Sequence, residues 1–300
     1  MARVAILVPV LNEEKSLVNL LTSLSGQTFA NFKVFLQDNF SDDQSLQIMS
    51  DFASRDNRFE VFSSPIRLTW NENWLNLSEK VIKSEQFDFV SWLGGDDVWG
   101  DQCYLEKLVL ELEQNKQYGA VCPKFQVTFP SGEIHKMISV NLESKFSVSR
   151  IWSLCRNWDN IHLVYGLYRY EVFIKLLDSK ISKFTPYLGS DWWWAYQFLT
   201  TNRSMCSSSA TYIKTIKNGD TLEIEDFTLG RVKIYLRSIR LCLAPEMTHL
   251  IKLIHVRKRF VLAFLVTIFF FTKSLIKIYV MHKMVLLRNL GRLAKVSHER

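Results

Sequence analysis

The first hundred residues switch repeatedly between two hydrophobic periods, and that alternation restricts the chain to few folds. Val4–Val8 is an unbroken apolar run of strand character. Leu17, Leu20, Leu21 and Leu24 then recur at helical spacing. Phe32–Leu36 reads as a second strand, Leu46, Ile48, Met49 and Phe52 as a second helix, and Phe59–Phe62 as a third strand. Trp74–Ile82 is again helical, and the aromatic, β-branched run Phe87–Leu93 is a fourth strand. Strands alternating with helices imply right-handed crossovers, so the expected class is α/β, a mostly parallel sheet flanked by helices. Val4–Val8 also resembles the apolar part of a leader peptide. Pro9, Asn12, Glu13 and Glu14 end it early and no small-residue cleavage site follows, so a first buried strand is expected. Further on, a helix is expected over Tyr104–Leu112. A hairpin is expected from Val121–Phe129 and Glu133–Ile138 about Pro130-Ser131-Gly132.

In such sheets ligands sit beyond the C-terminal strand ends. Three polar loops fall there: Pro9–Asn12, Gln37–Phe40 and Gly94–Asp97. They are expected to converge on one crevice. Gly94-Gly95-Asp96-Asp97 carries the most chemistry. Two adjacent carboxylates repel each other unless a cation or a hydrogen-bonded ligand satisfies them. A hard divalent ion or a sugar hydroxyl would do so. The first loop excludes a dinucleotide fold or a P-loop, which need glycines there to cradle phosphate. No glycine precedes Gly26, and Glu13 and Glu14 would repel a diphosphate although they favour the helix dipole. Phosphate charge must then be met elsewhere, with a metal on Asp97 as the candidate. The five cysteines show no Cys-x-x-Cys spacing and read as reduced thiols, neither a zinc site nor a disulfide framework.

Pro9-Val10-Leu11-Asn12-Glu13, Gln27-Thr28, Asp38-Asn39-Phe40-Ser41-Asp42-Asp43 and Gly95-Asp96-Asp97, in this order, resemble the family 2 glycosyltransferases with the GT-A fold. The resemblance spans roughly residues 3–125, with a weaker echo in Tyr165–Arg169 and Gly189–Trp192. It implies a GT-A domain over 1–230, with a nucleotide-sugar-binding half (1–125) and an acceptor half (126–230). It also implies roles for matching residues. Pro9, Asn12 and Glu13 would line base and ribose; Asp38 or Asn39 would hydrogen-bond the base; Asp96 would lie near the ribose or sugar. Asp97 would bind Mn²⁺ or Mg²⁺ bridging the donor's two phosphates, and Asp191 would be the general base on the acceptor hydroxyl. The implied reaction is inverting transfer of a sugar from a nucleotide-sugar donor. The sequence departs from the family pattern at Leu11 (usually Tyr), Asn39 (often Asp) and Gly95, the first position of the usual Asp-x-Asp. It also lacks the Gln-x-x-Arg-Trp motif of processive synthases, which favours addition of one sugar.

Each residue also has a structural reading. Ser41–Gln44 resembles a capping box for the second helix. Asp191 could cap a helix starting at Trp192, and Trp192-Trp193-Trp194 reads mainly as core. Asn73 suits a cap as well as a donor contact, and Arg169 an internal ion pair as well as a phosphate. The competing class is a non-catalytic nucleotide-sugar or membrane-binding module with the same fold.

The charge of +7 hides two unlike parts. Residues 231–300 carry 15 Lys and Arg against Glu246 and Glu299, while the rest carries 22 basic and 28 acidic side chains. Arg231–Leu243 reads as an amphipathic helix. Phe260–Thr272 is almost wholly apolar but short for a span, and reaching Met281 means accepting Lys273 and Lys277. The tail is expected to form basic, apolar helices lying on an anionic membrane surface. No nucleic-acid module is recognisable. The expected location is the cytoplasmic side of the plasma (inner) membrane, with a lipid-linked or growing glycan as acceptor in cell-surface polysaccharide synthesis.

Overall fold

A computed structural model describes residues 2–128, 134–137, 142–147, 149–150, 153, 161–178 and 190–215. The chain divides into two units, Met1–Asn218 and Gly219–Arg300. The second unit, and with it the expected membrane-associating tail, lies outside the described residues. Among those described, no helix is long and apolar enough to cross a membrane.

Strands β1 (Val4–Val10), β2 (Phe32–Asp38), β3 (Phe59–Ser63) and β4 (Phe89–Trp92) alternate with helices α1 (Leu17–Ser25), α2 (Ser45–Ala53) and α3 (Trp70–Ser84). After β5 (Val98–Trp99) come α4 (Tyr104–Gln114), β6 (Ala120–Thr128) and β7 (Ile134–Met137). A 3₁₀ turn (Ile161–Tyr165), β8 (Leu167–Arg169), α5 (Tyr170–Leu177), α6 (Ser190–Thr201) and β9 (Ser204–Thr215) follow. One sheet holds all nine strands in the order β3-β2-β1-β4-β8-β6-β9-β5, with β7 beside β6.

The parallel half, β3-β2-β1-β4, follows the alternation read in the sequence. The other half corrects the expectation of a mostly parallel sheet. Among the described residues four strand pairs are parallel and four antiparallel. The reason is connectivity. β6 and β7 face each other across a short connection, which permits only antiparallel pairing. β8 and the two-residue β5 likewise enter against their neighbours.

All seven residues of β1 are buried, as parallel strands covered on both faces require. Leu17, Leu20, Leu21 and Leu24 form the buried stripe of α1, the spacing that marked it as a helix. A second cluster gathers on Trp92 at the end of β4. Its ring lies 4.9 Å from Trp74, 5.0 Å from Phe173 and 4.3 Å from Trp194, and its indole N–H donates to Ser78 Oγ at 3.1 Å. Trp194 is therefore core. The cluster fixes α3, α5 and α6 around the strand that leads into Gly94.

Two local expectations are corrected. The capping box sits on α3, where Thr69 and Glu72 exchange bonds. It does not form at α2, because that helix begins at Ser45 with Gln44 as its N-cap, too late for Ser41 to cap it, and the Ser41 hydroxyl accepts from Asn12 N–H instead. Arg169 directs its hydrogen bonds to backbone carbonyls and not to the carboxylate that an internal ion pair needs. It donates to the carbonyls of Leu112 and Tyr118 at 2.6 and 2.9 Å, tying β8 to the C-terminal end of α4.

Candidate active site

The first two loops lock together by an exchange of backbone and side-chain bonds. Asn39 N–H donates to Val10 O at 2.9 Å, continuing the β1–β2 ladder one residue past Asp38. Asn12 N–H donates to Ser41 Oγ at 3.0 Å, and Asp42 N–H returns a bond to Asn12 Oδ1 at 2.9 Å. Glu13 N–H donates to Ser45 Oγ at 2.8 Å and Glu14 N–H to Asp43 Oδ2 at 3.0 Å. Amides of the loop before α1 are thus satisfied by side chains at and just before the start of α2. The chain turns through left-handed backbone at Asn12 (φ 56°) and Phe40 (φ 61°). Asn tolerates that conformation; for phenylalanine it is a strained one.

Asp38 is buried, and one of its oxygens accepts from Ser41 N–H at 3.1 Å. The other, Oδ1, is buried without a hydrogen-bond partner. A buried acceptor left open faces a desolvation cost that a ligand N–H would remove. Asn39 is committed differently. Its amide donates to Leu68 O at 2.9 Å and accepts from Leu68 N–H at 2.8 Å. It fixes the segment leading into α3. Asn73 is buried in that helix and accepts from Gln37 Nε2 at 2.7 Å.

The third loop joins the first through Gly95. A Cβ there would stand 3.0 Å from Glu13 Cγ and 3.6 Å from Pro9 O, so the backbone passes close to both. At Gly94 a Cβ would lie 2.5 Å from Asp97 Oδ2 and 3.1 Å from Asp96 Oδ1. The turn folds back onto its own carboxylates, and only glycine leaves room for it. Pro9, Glu13, Asp96 and Asp97 are brought together in this way. Gln27 supports the far side: it donates to Asp101 O and accepts from Leu105 N–H, both at 3.0 Å, pinning the start of α4.

Asp97 is completely buried. It precedes β5, whose pairing with β9 (Val98 with Ile213, Trp99 with Tyr212) brings two unforeseen side chains to the carboxylate. The Tyr212 hydroxyl donates to Oδ2 at 2.6 Å, and Lys214 Nζ stands 3.8 Å from Oδ1. Tyr212 and Lys214 are two apart on one strand, hence on one face. Tyr212 stacks on Phe125 at 4.8 Å and meets the tilted Tyr165 ring at 5.1 Å, and the Lys214 ammonium lies 5.4 Å from the Tyr165 ring centre.

Burial pushes Asp97 up from its ordinary 3.8 to about 6. The Lys214 charge opposes the rise and the Asp96 carboxylate adds to it; the Tyr212 bond lowers it and Glu13 raises it slightly. The arrangement is therefore a carboxylate held in a low-dielectric, acidic setting with one oxygen lacking any hydrogen-bond donor. Among the described residues no group of three or more His, Cys, Asp or Glu is arranged as a metal site. A metal is still compatible with the donor set. Oδ1 of Asp97 is a hard oxygen without a hydrogen bond, and a diphosphate and water can complete a Mg²⁺ or Mn²⁺ shell. Asp191 lies in the first turn of α6, which begins at Ser190, two residues before the Trp192 start that a cap role for Asp191 requires. Its side chain lies outside the described residues.

Tyr212 and Lys214 were missed because their segment, Ser204–Thr215, opens on serines and carries little apolar signal. The alternation Ala210, Tyr212, Lys214 is the one signal that could have marked a strand there, and nothing local names its partner.

Comparison with known proteins agrees with this geometry. EpsH of Bacillus subtilis (strain 168), assigned as a glycosyltransferase, is 29% identical over 106 residues, 35% of this chain and 29% of EpsH. The fold is similar to S. aureus TarS residues 1–349, with a TM-score of 0.54 and 18% identity over 71% of this chain and 60% of that one. It is also similar to the mannosyltransferase PcManGT from Pyrobaculum calidifontis, solved with GDP-Man and Mn²⁺. There the TM-score is 0.51 and the identity 14%, over 72% of this chain and 58% of that one. The chain thus spans less than two thirds of the length of each of these proteins. The sequence profile of Glycosyl transferase family 2 matches residues 5–177, more than half of the chain, which therefore belongs to that family.

Proposed function

We propose that this chain is an inverting, non-processive glycosyltransferase that moves one sugar from a nucleoside diphosphate donor to a lipid-linked or growing glycan. The observation that carries the reading is Asp97. It is a fully buried carboxylate in the loop between β4 and β5, next to two glycines that admit close approach, in a loop that packs on the one carrying Pro9 and Glu13. The ligands named for two similar folds, UDP-GlcNAc for TarS and GDP-Man with Mn²⁺ for PcManGT, make nucleoside diphosphate sugars the donors to test first.

In this reading Asp38 offers its open Oδ1 to a base N–H, while Asn12 and Asn39 shape the loops around the base. Asp97 would hold Mn²⁺ or Mg²⁺ through its open oxygen, and Asp96 would lie close to the ribose or sugar. A divalent ion supplies Lewis-acid neutralisation of the departing diphosphate. Asp191, at the start of α6, takes the proton of the acceptor hydroxyl as that oxygen bonds to the anomeric carbon. Attack opposite the leaving diphosphate inverts the configuration. The basic tail would hold the catalytic unit at the cytoplasmic face of the inner membrane, where a lipid-linked acceptor in polysaccharide synthesis is presented.

The test is release of nucleoside diphosphate from a panel of nucleotide sugars, with membrane extract as acceptor source, before and after chelation. Transfer from at least one donor that chelation abolishes and Mn²⁺ restores is expected. A second reading, a binding module without turnover, is favoured by Gly95 in place of an aspartate and by the Lys214 contact on Asp97. Thermal stabilisation by a nucleotide sugar with no transfer from any donor would select it.

A further inference from the structure

Asp97 has two environments, one for each oxygen. Oδ2 is satisfied by the Tyr212 hydroxyl at 2.6 Å. Oδ1 receives no hydrogen bond, and the positive charge beside it is the Lys214 ammonium at 3.8 Å, beyond hydrogen-bond length. A carboxylate with no exposure needs a compensating cation to stay ionised. The Lys214 side chain keeps 30% of its surface in solvent, and its ammonium also leans on the Tyr165 ring at 5.4 Å. A long stem with one end near solvent can withdraw without disturbing the strand. A tyrosine hydroxyl bonded at 2.6 Å and packed between two rings cannot.

We propose that Lys214 is the resident counter-ion of Asp97, the cation that a divalent metal must displace from Oδ1. It thereby sets the metal concentration at which the site loads. The inference rests on the reading of Asp97 as the metal ligand. An ammonium and a divalent ion repel each other strongly when both lie within about 4 Å of one oxygen in a poorly solvated site. Loading therefore moves the Lys214 charge away from Oδ1, toward the solvent that its side chain already meets. Tyr212 keeps Oδ2 fixed in both states.

The test is Mn²⁺ binding to the full chain in detergent at pH 7.5 without nucleotide, followed by the electron paramagnetic resonance signal of free Mn²⁺. Wild type, Lys214→Met, Lys214→Arg and the double variant Lys214→Met/Asp97→Asn are compared. Lys214→Met keeps the stem and removes the charge, so it should bind Mn²⁺ at least tenfold more tightly than wild type. Lys214→Arg keeps the charge and should stay near wild type. The double variant should lose the gain, which separates binding at Asp97 from adventitious binding elsewhere. Equal or weaker binding by Lys214→Met, with wild type still binding, overturns the inference and leaves the metal reading standing. No Mn²⁺ binding by either protein overturns the inference, while the metal reading is decided by the chelation test, in which the donor's diphosphate is present to complete the shell.

Discussion

Replacing Asp97 by Asn should stabilise the folded chain at neutral pH and change how stability responds to pH. Asp97 has no exposure and its pKa is raised by burial from 3.8 to about 6, so the folded state holds this proton more tightly than the unfolded chain does. Below pH 3.8 the carboxyl is protonated in both states and contributes no penalty. As pH rises from about 4 through 6, the unfolded chain releases the proton first, and folding then requires either keeping it or burying the charge. Stability attributable to this group falls across that window. A shift of about two units at about 1.4 kcal/mol each gives a loss of about 3 kcal/mol, complete above pH 7. Asn preserves an acceptor for the Tyr212 hydroxyl and carries no charge. Urea unfolding of both proteins at pH 4.5, 6 and 7.5, without divalent ions, gives the comparison. The stability difference should favour Asp97→Asn increasingly with pH, by about 2–4 kcal/mol at pH 7.5 relative to its value below pH 4. Parallel curves would refute the claim that Asp97 is buried in the folded state with a penalty on its charge.

Three further outcomes follow from the geometry. Gly94→Ala would place a methyl 2.5 Å from Asp97 Oδ2 and must dislodge the carboxylate from Tyr212; donor turnover should fall at least tenfold, and unchanged turnover would contradict the tight turn. Arg169→Ala removes charge-assisted bonds to the carbonyls of Leu112 and Tyr118, so a loss of about 2–4 kcal/mol in urea unfolding is expected, with donor affinity retained by the folded fraction. Asp191→Asn should keep donor binding by calorimetry and lose transfer by about 100-fold or more, since the amide cannot take the acceptor proton; equal turnover would remove Asp191 from the mechanism.

The parallel half of the sheet was legible because its information is local. Four apolar runs and the Leu17–Leu24 stripe name their own conformations, and crossover handedness then orders them. The Gly94–Asp97 loop was legible for a similar reason: adjacent carboxylates after a buried strand demand compensation whatever the fold. What compensates them was not legible. Tyr212 and Lys214 lie more than a hundred residues away and reach Asp97 only because the two-residue β5 pairs with β9. Two residues leave no period to read. Side-chain commitments were hidden likewise. Ser41 and Gln44 fit a capping box by spacing, yet α2 begins only at Ser45 and the Asn12 amide claims the Ser41 hydroxyl. Arg169 looked like a charge seeking a charge and instead closes the end of α4 with carbonyls as partners.

The account depends on the carboxylate of Asp97 taking part in donor chemistry, and one measurement addresses it most directly. Nucleoside diphosphate release by wild type and by Asp97→Asn is compared with Mn²⁺ at pH 7.5, using the donor selected from the panel, after urea unfolding has shown the variant folded. The account predicts a variant at least as stable as wild type with turnover reduced by about 100-fold or more. A folded Asp97→Asn protein that turns over the donor at the wild-type rate would contradict it.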